Sequence, residues 1–240
     1  MDISTERMPM SSLRKTSLVA GILYLLTFIS IPTLALYGSI HQPGYILGAG
    51  PDTAVIIGNI LEIIVALMGI GTAVVLYPVL KNQNEGIALG LVGARVLEAA
   101  TIFVGVMLLL TVVTLRQAAA GTQALVTSHT LVTMYDRMFL IGQSFMPAID
   151  DLLLGFLLYQ SRLVPRGLSL IGIIGGPILI AGDILVLFGI IGQRDPSTVL
   201  FAIPVALFEF SLGIYLIVKG FKSTEIEYET PDKLIQFGRD

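Results

Sequence analysis

The chain has 240 residues, 55% of them hydrophobic and 13% charged, with a mean hydropathy of +0.87. Soluble proteins carry about 25% charged residues, and a soluble domain of this length could not bury so much apolar surface, so that class is excluded. The absence of cysteine removes disulfides, thiol catalysis, iron–sulfur clusters and cysteine zinc sites, and the net charge of −3 offers no basic surface for nucleic acid.

Six apolar segments, each long enough to cross about 30 Å of hydrocarbon, predict an all-α polytopic transmembrane bundle of six helices in one domain. The first span is expected at 16–39, behind Arg14 and Lys15. It starts like a signal peptide, but its apolar run exceeds the usual core of about 7–15 residues and no small-x-small cleavage site ends it, so it reads as a retained helix. A Gly/Pro loop (HQPGYILGAGPD) follows at 41–52. The second span is expected at 53–80, stopped by Lys81-Asn82-Gln83-Asn84, and the third at 86–115. The fourth, at 130–159, is the most polar and carries Pro147, which is expected to kink it and free carbonyls near Gln143. Arg162, Pro165 and Arg166 form the next turn, before spans at 168–191 and 198–221. Residues 1–15 read as a cytoplasmic segment and 222–240 as a mobile hydrophilic cytoplasmic tail.

Basic residues set the orientation. Arg7, Arg14, Lys15, Lys81, Arg162, Arg166, Lys219, Lys222, Lys233 and Arg239 fall on one side, against Arg116 and Arg194 on the other. Both termini are therefore expected in the cytoplasm.

Charged residues inside the spans are the main functional signal: Glu62, Arg95, Glu98, Asp136, Arg137, Asp150, Asp151, Asp183 and Glu209. A charge at the bilayer centre costs roughly 2.5–3.5 kcal/mol on insertion scales, so such residues converge, pair or face water. Helical spacing sets several of them among small residues: Gly58, Glu62, Ala66, Gly69, Ala73; Gly90, Ala94, Glu98, Thr101, Gly105; Ala202, Ala206, Glu209, Gly213. Small residues allow close helix approach, so each stripe is expected to face a neighbouring helix. At ~1.5 Å per residue, Glu62, Glu98 and Glu209 reach a similar central depth. The expectation is a buried cluster of Arg95 and Glu98 with one or more of Glu62, Asp150 and Glu209. A second, outer group would join Asp136 or Arg137 to Asp183. Asp150 and Asp151 lie about 100° apart on a helix, so only one of them is expected at the cluster. Seven acids against two arginines leave carboxyls that must hold protons or cations.

Other chemistries find little footing. The two histidines, His41 and His129, fall in outer loops and read as solvent-exposed. A loop zinc site from His41, His129 and Asp52 is the one metal arrangement residue types allow, and neither a metal nor a cofactor is expected. A Ser–His hydrolase lacks a histidine inside any span, and no Walker loop is present. Tyr135-Asp136 and Gly182-Asp183 resemble the YD and GxGD pairs of intramembrane aspartyl proteases, but Ile180 stands where the first glycine belongs and no PAL follows.

Four segments carry a family resemblance: AGILYLLTFIS at 20–30, ALGLVGARVLEAATI at 88–102, YQSRLVPRGLSLIGIIGG at 159–176 and IPVALFEFSLGIYLIVKGF at 203–221. Together they resemble the bacterial membrane-protein family catalogued as domain of unknown function 4386, over about residues 14–222. The resemblance implies a six-span protein of the bacterial inner (plasma) membrane and no particular activity. By position, Arg95, Glu98, Pro165, Arg166, Glu209, Lys219 and Gly220 are its family-like residues. The leading expectation is a bilayer protein that moves a proton, a cation or a small solute through a buried carboxylate–arginine cluster, with oligomerisation open. The alternative is a non-transporting scaffold or accessory subunit whose ionic cluster specifies helix packing. An intramembrane enzyme of aspartyl type ranks third.

Overall fold

A computed structural model describes residues 12–222, and all its regular elements are helical. Residues 1–11 and 223–240, and with them most of the expected cytoplasmic arms, lie outside the described residues. Six helical segments are long and apolar enough to cross a membrane: Ser12–Leu36, Thr53–Leu80, Glu85–Gln117, Gly121–Ser161, Arg166–Leu187 and Pro196–Val218.

The first span is not continuous. α1 (Ser12–Thr27) gives way to a 3-10 turn at Phe28–Ser30 and a short α2 (Thr33–Leu36). Pro32 has no N–H to offer the Phe28 carbonyl, which accepts instead from Ile31 N–H at 3.2 Å. α3 (Thr53–Leu80) and α4 (Glu85–Gln117) follow, the latter capped by the Asn84 side chain, which accepts from Ile87 N–H at 3.0 Å. The fourth span is composite: α5 (Leu125–Leu140), a π-helical segment at Ile141–Phe145, and α6 (Met146–Ser161). The widened turn sits where Pro147 cannot donate to the Gln143 carbonyl, so the expected irregularity takes the form of a π-bulge. α7 (Arg166–Leu187) starts after the extended Pro165, and α8 (Pro196–Val218) starts with Asp195 accepting from Ser197 N–H at 2.9 Å.

Packing joins α1 to α3 and α8, α4 to α3, α5 and α6, and α7 to α6 and α8. Backbone proximity at two of these contacts demands glycine. A Cβ on Gly176 would stand 2.5 Å from the Ala148 carbonyl oxygen, and one on Gly21 would stand 2.7 Å from that of Gly213. Arg14 closes the end of α8 by donating to the carbonyls of Leu216 and Ile217.

The predicted stripes are corrected in α4 and α8. Gly90 is exposed, and the buried face of α4 runs through Leu91, Arg95, Glu98, Ile102 and Gly105 instead. In α8 the buried face is Val205, Phe208, Leu212, Gly213 and Leu216, so of the stripe Gly213 does meet a neighbouring helix, while Ala206 is exposed and Glu209 half-buried. Large apolar side chains bury more area than Ala or Gly, so they decide which face turns inward.

Candidate functional site

Arg95 is the hub of the bundle. α4 places it among α1, α6 and α8, with 3% of its side chain exposed. Its guanidinium donates to Glu98 Oε2 and to Glu209 Oε1, both at 2.8 Å, and its Nε lies 3.4 Å from Asp150 Oδ2. The Tyr24 ring of α1 lies against it, with 5.7 Å from the guanidinium carbon to the ring centroid. Arg95 thus ties α4 to α6 and α8 by charge and touches α1 by its π-face. Asp151 is buried as completely as Asp150, within electrostatic reach of Glu209 and Arg95, and neither of its oxygens has a hydrogen-bond partner. The expectation that only one of this pair turns inward is therefore corrected: the π-bulge lies just before them, and both are buried inside the bundle. Around one guanidinium stand Glu98, Glu209, Asp150 and Asp151. An unpaired buried carboxylate is costly, and one guanidinium cannot neutralise all four.

Glu62, expected near that cluster, forms a separate site. Its Oε1 accepts from Tyr135 hydroxyl at 2.6 Å and from Gln143 Nε2 at 3.1 Å, and Oε2 has no partner. Gln143 sits in the π segment, so the irregular turn presents its amide to the α3 carboxyl. The Tyr37 ring packs edge-on against Tyr135 and lies where a Cβ on Gly58 would be. That packing orients the hydroxyl toward Glu62.

The outer group is rearranged as well. Asp136 does not meet Asp183. Its Oδ1 receives His41 Nε2 at 3.1 Å and Arg194 at 2.8 Å, while Gln193 donates to its backbone carbonyl at 2.7 Å. His41 Nδ1 lies 2.7 Å from the Tyr37 carbonyl, so the histidine spans two acceptors and is 13% exposed rather than free in solvent. Asp183, 4% exposed, accepts from Ser144 at 2.7 Å through Oδ1 and leaves Oδ2 without a partner. Arg137 is exposed and makes no ion pair among the described residues. Because the α7–α8 loop reaches Asp136, that residue sits at the rim of the bundle.

Two hollows lie beside these groups. A cavity of about 650 Å³ is walled by α2, α5, α7 and α8, with His41, Asp136 and Asp183 on its lining. A smaller cleft of about 210 Å³ opens where α1 breaks at Phe28–Ile31, and Arg95, Glu98 and Glu209 line it. Gln143, Ser144, Leu179 and Ala202 line both. The π segment therefore stands between the rim and the ionic hub.

The zinc arrangement is not assembled. His41 faces Asp136, His129 is exposed, and Asp52 is held by Arg116, Tyr45 and Gln117. The aspartyl pairing lacks its geometry too, since Asp136 is engaged by His41 and Arg194 and Asp183 by Ser144. Sequence reasoning missed His41, Tyr24, Ser144 and Arg194 as site residues. Arg194 was legible as a charge beside a span, but the His41–Asp136 contact joins positions 95 apart and has no local signature.

The profile of a family described as a domain of unknown function (DUF4386) matches residues 19–220, and the chain belongs to that family. No curated protein and no solved structure matches the chain.

Proposed function

We propose that this member of the DUF4386 family is a small carrier of the bacterial inner membrane, moving a solute together with a proton or cation, with both termini in the cytoplasm. The reading rests on one observation. The cleft lined by Arg95, Glu98 and Glu209 is separated from the larger cavity at the His41 end by Gln143 and Ser144, which line both, so one irregular segment stands between open space and carboxyls that lack enough positive charge. Glu209, with 14% of its side chain exposed, is the member of the hub most open to that space. A proton or cation arriving there exchanges with the Arg95 guanidinium as partner for Glu209, which loosens the tie between α4 and α8. Breaking a tie between two helices in response to binding is what alternating access requires.

The test is flux in proteoliposomes carrying a pH-sensitive dye, under an imposed proton or sodium gradient, with wild type and Glu209→Gln. The carrier reading expects wild-type flux and its loss in a variant that still folds. The scaffold reading draws on the three-way pairing of Arg95 and expects no flux in either protein.

A further inference from the structure

The large cavity at the His41 end has a chemistry of its own, distinct from that of the ionic hub. Its walls are largely apolar, from Leu34, Leu179, Val186 and Val199, and four aromatic side chains line it as well: Tyr37, Tyr135, Phe139 and Phe201. Phe201 is held against α7 at Gly182, where a Cβ would stand 2.5 Å from the ring, so an aromatic face is fixed beside Asp183. The basic groups at the rim are engaged: Arg194 and His41 both point at Asp136. The buried side-chain atoms of the lining that lack a partner are the Tyr37 hydroxyl and Asp183 Oδ2, the latter on a residue that is 4% exposed.

An apolar chamber of this size suits one small organic molecule. A buried carboxyl with a vacant acceptor oxygen, beside aromatic faces, is the recognition chemistry for an ammonium group. An anion would meet the carboxyl and the negative faces of the rings. We propose that this cavity binds a lipophilic amine, with its ammonium on Asp183 and its apolar body against Phe201, Phe139 and Leu179. The proposal rests on the carrier reading for its purpose, since it names the class of solute that reading requires, but binding is measured without flux.

The chain has no Trp, so a single Val199→Trp substitution gives a fluorophore on the cavity lining at a position already 59% exposed. The full-length variant in detergent is titrated with benzylamine, benzyl alcohol and benzoate, probes of one shape and three charges. Benzylamine is expected to change the emission at a concentration about tenfold below that of benzyl alcohol, with benzoate weakest. Adding Asp183→Asn is expected to raise the benzylamine midpoint by about tenfold and leave benzyl alcohol unmoved. Benzoate binding ahead of benzylamine, no emission change with the amine, or an amine midpoint indifferent to Asp183→Asn would each overturn the proposal. If the Asp183 variant fails to fold, the order of the three probes on Val199→Trp alone decides. Amine binding without flux would refute the carrier reading and leave this one standing, and flux without amine binding would do the reverse.

Discussion

Arg95 of α4 and Glu209 of α8 meet at 2.8 Å although 114 residues separate them, and the same guanidinium holds Glu98 one turn along its own helix. The contact explains how one cation organises a bundle so rich in buried acids. It also makes Arg95 the position where substitution should do most damage. Arg95→Leu would leave Glu98 and Asp150 buried without their partner, which costs about 3–5 kcal/mol when one member of a buried ion pair is removed. Poor recovery of folded protein and a sharp fall in melting temperature are expected. A variant that melts like wild type would mean that the acids around it are already neutral.

Asp151 behaves differently. Neither of its oxygens has a hydrogen-bond partner, so no specific contact is lost when its charge-bearing ability is removed. Asp151→Asn is expected to change stability by less than about 1 kcal/mol, against a larger loss for Glu98→Gln, whose carboxylate accepts directly from Arg95. Thermal unfolding of the two variants side by side checks this, and an equal loss would assign Asp151 a partner.

Tyr135→Phe removes the shorter of the two hydrogen bonds to Glu62 and keeps the ring against Tyr37. Leaving a buried acceptor under-satisfied costs about 1–3 kcal/mol. The loss should shrink when Glu62→Gln is made in the same chain, and a double-mutant cycle measures that coupling.

Gly176→Ala forces a methyl against the Ala148 carbonyl, where it would sit at 2.5 Å. Backbone cannot swing aside as a side-chain tip can, so α6 and α7 must separate, at a cost of about 1–3 kcal/mol. Gly93→Ala, which meets nothing within 4 Å, is the control and should be neutral or slightly stabilising.

At the His41 end, Asp52 tests electrostatics outside the spans. Burial raises its carboxyl, but hydrogen bonds from Tyr45, Gln117 and Arg116, with the Arg116 charge, outweigh that and hold it below its ordinary value. A depressed carboxyl contributes stability that is present above its unfolded value and is lost as pH falls through its folded one. Wild type should therefore lose melting temperature more steeply than Asp52→Asn below roughly pH 4, and the two curves should run parallel above it. Parallel curves throughout would show that the contact adds nothing to stability.

Much of the architecture was already decided by the chain read alone. Apolar runs of spanning length can bury their backbone polar groups in a bilayer only as helices, so six spans followed from composition and length. The charges inside those runs had to converge for the same reason, and the Arg95–Glu98 spacing of three residues placed that pair on one face without any knowledge of neighbours. Pro147 announced an irregular turn, because its missing N–H acts locally. The first span was harder to read, since Pro32 breaks it within an apolar stretch whose hydropathy continues unbroken.

The partners were decided by tertiary structure. Glu62 takes Tyr135 and Gln143 rather than Arg95, because the π segment turns the Gln143 amide toward α3. Asp136 takes His41 and Arg194 rather than Asp183, because a loop between α7 and α8 reaches the rim at its level. Asp150 and Asp151 are both buried, and the Ala206 side of α8 opens onto a cleft instead of a helix. Periodicity assigns a residue to a face, but the neighbour of that face is set by how helices with unequal side-chain volumes pack. The sequence determined that buried charge must be balanced; only the packed bundle determined which carboxyls share Arg95 and which are left facing a cavity.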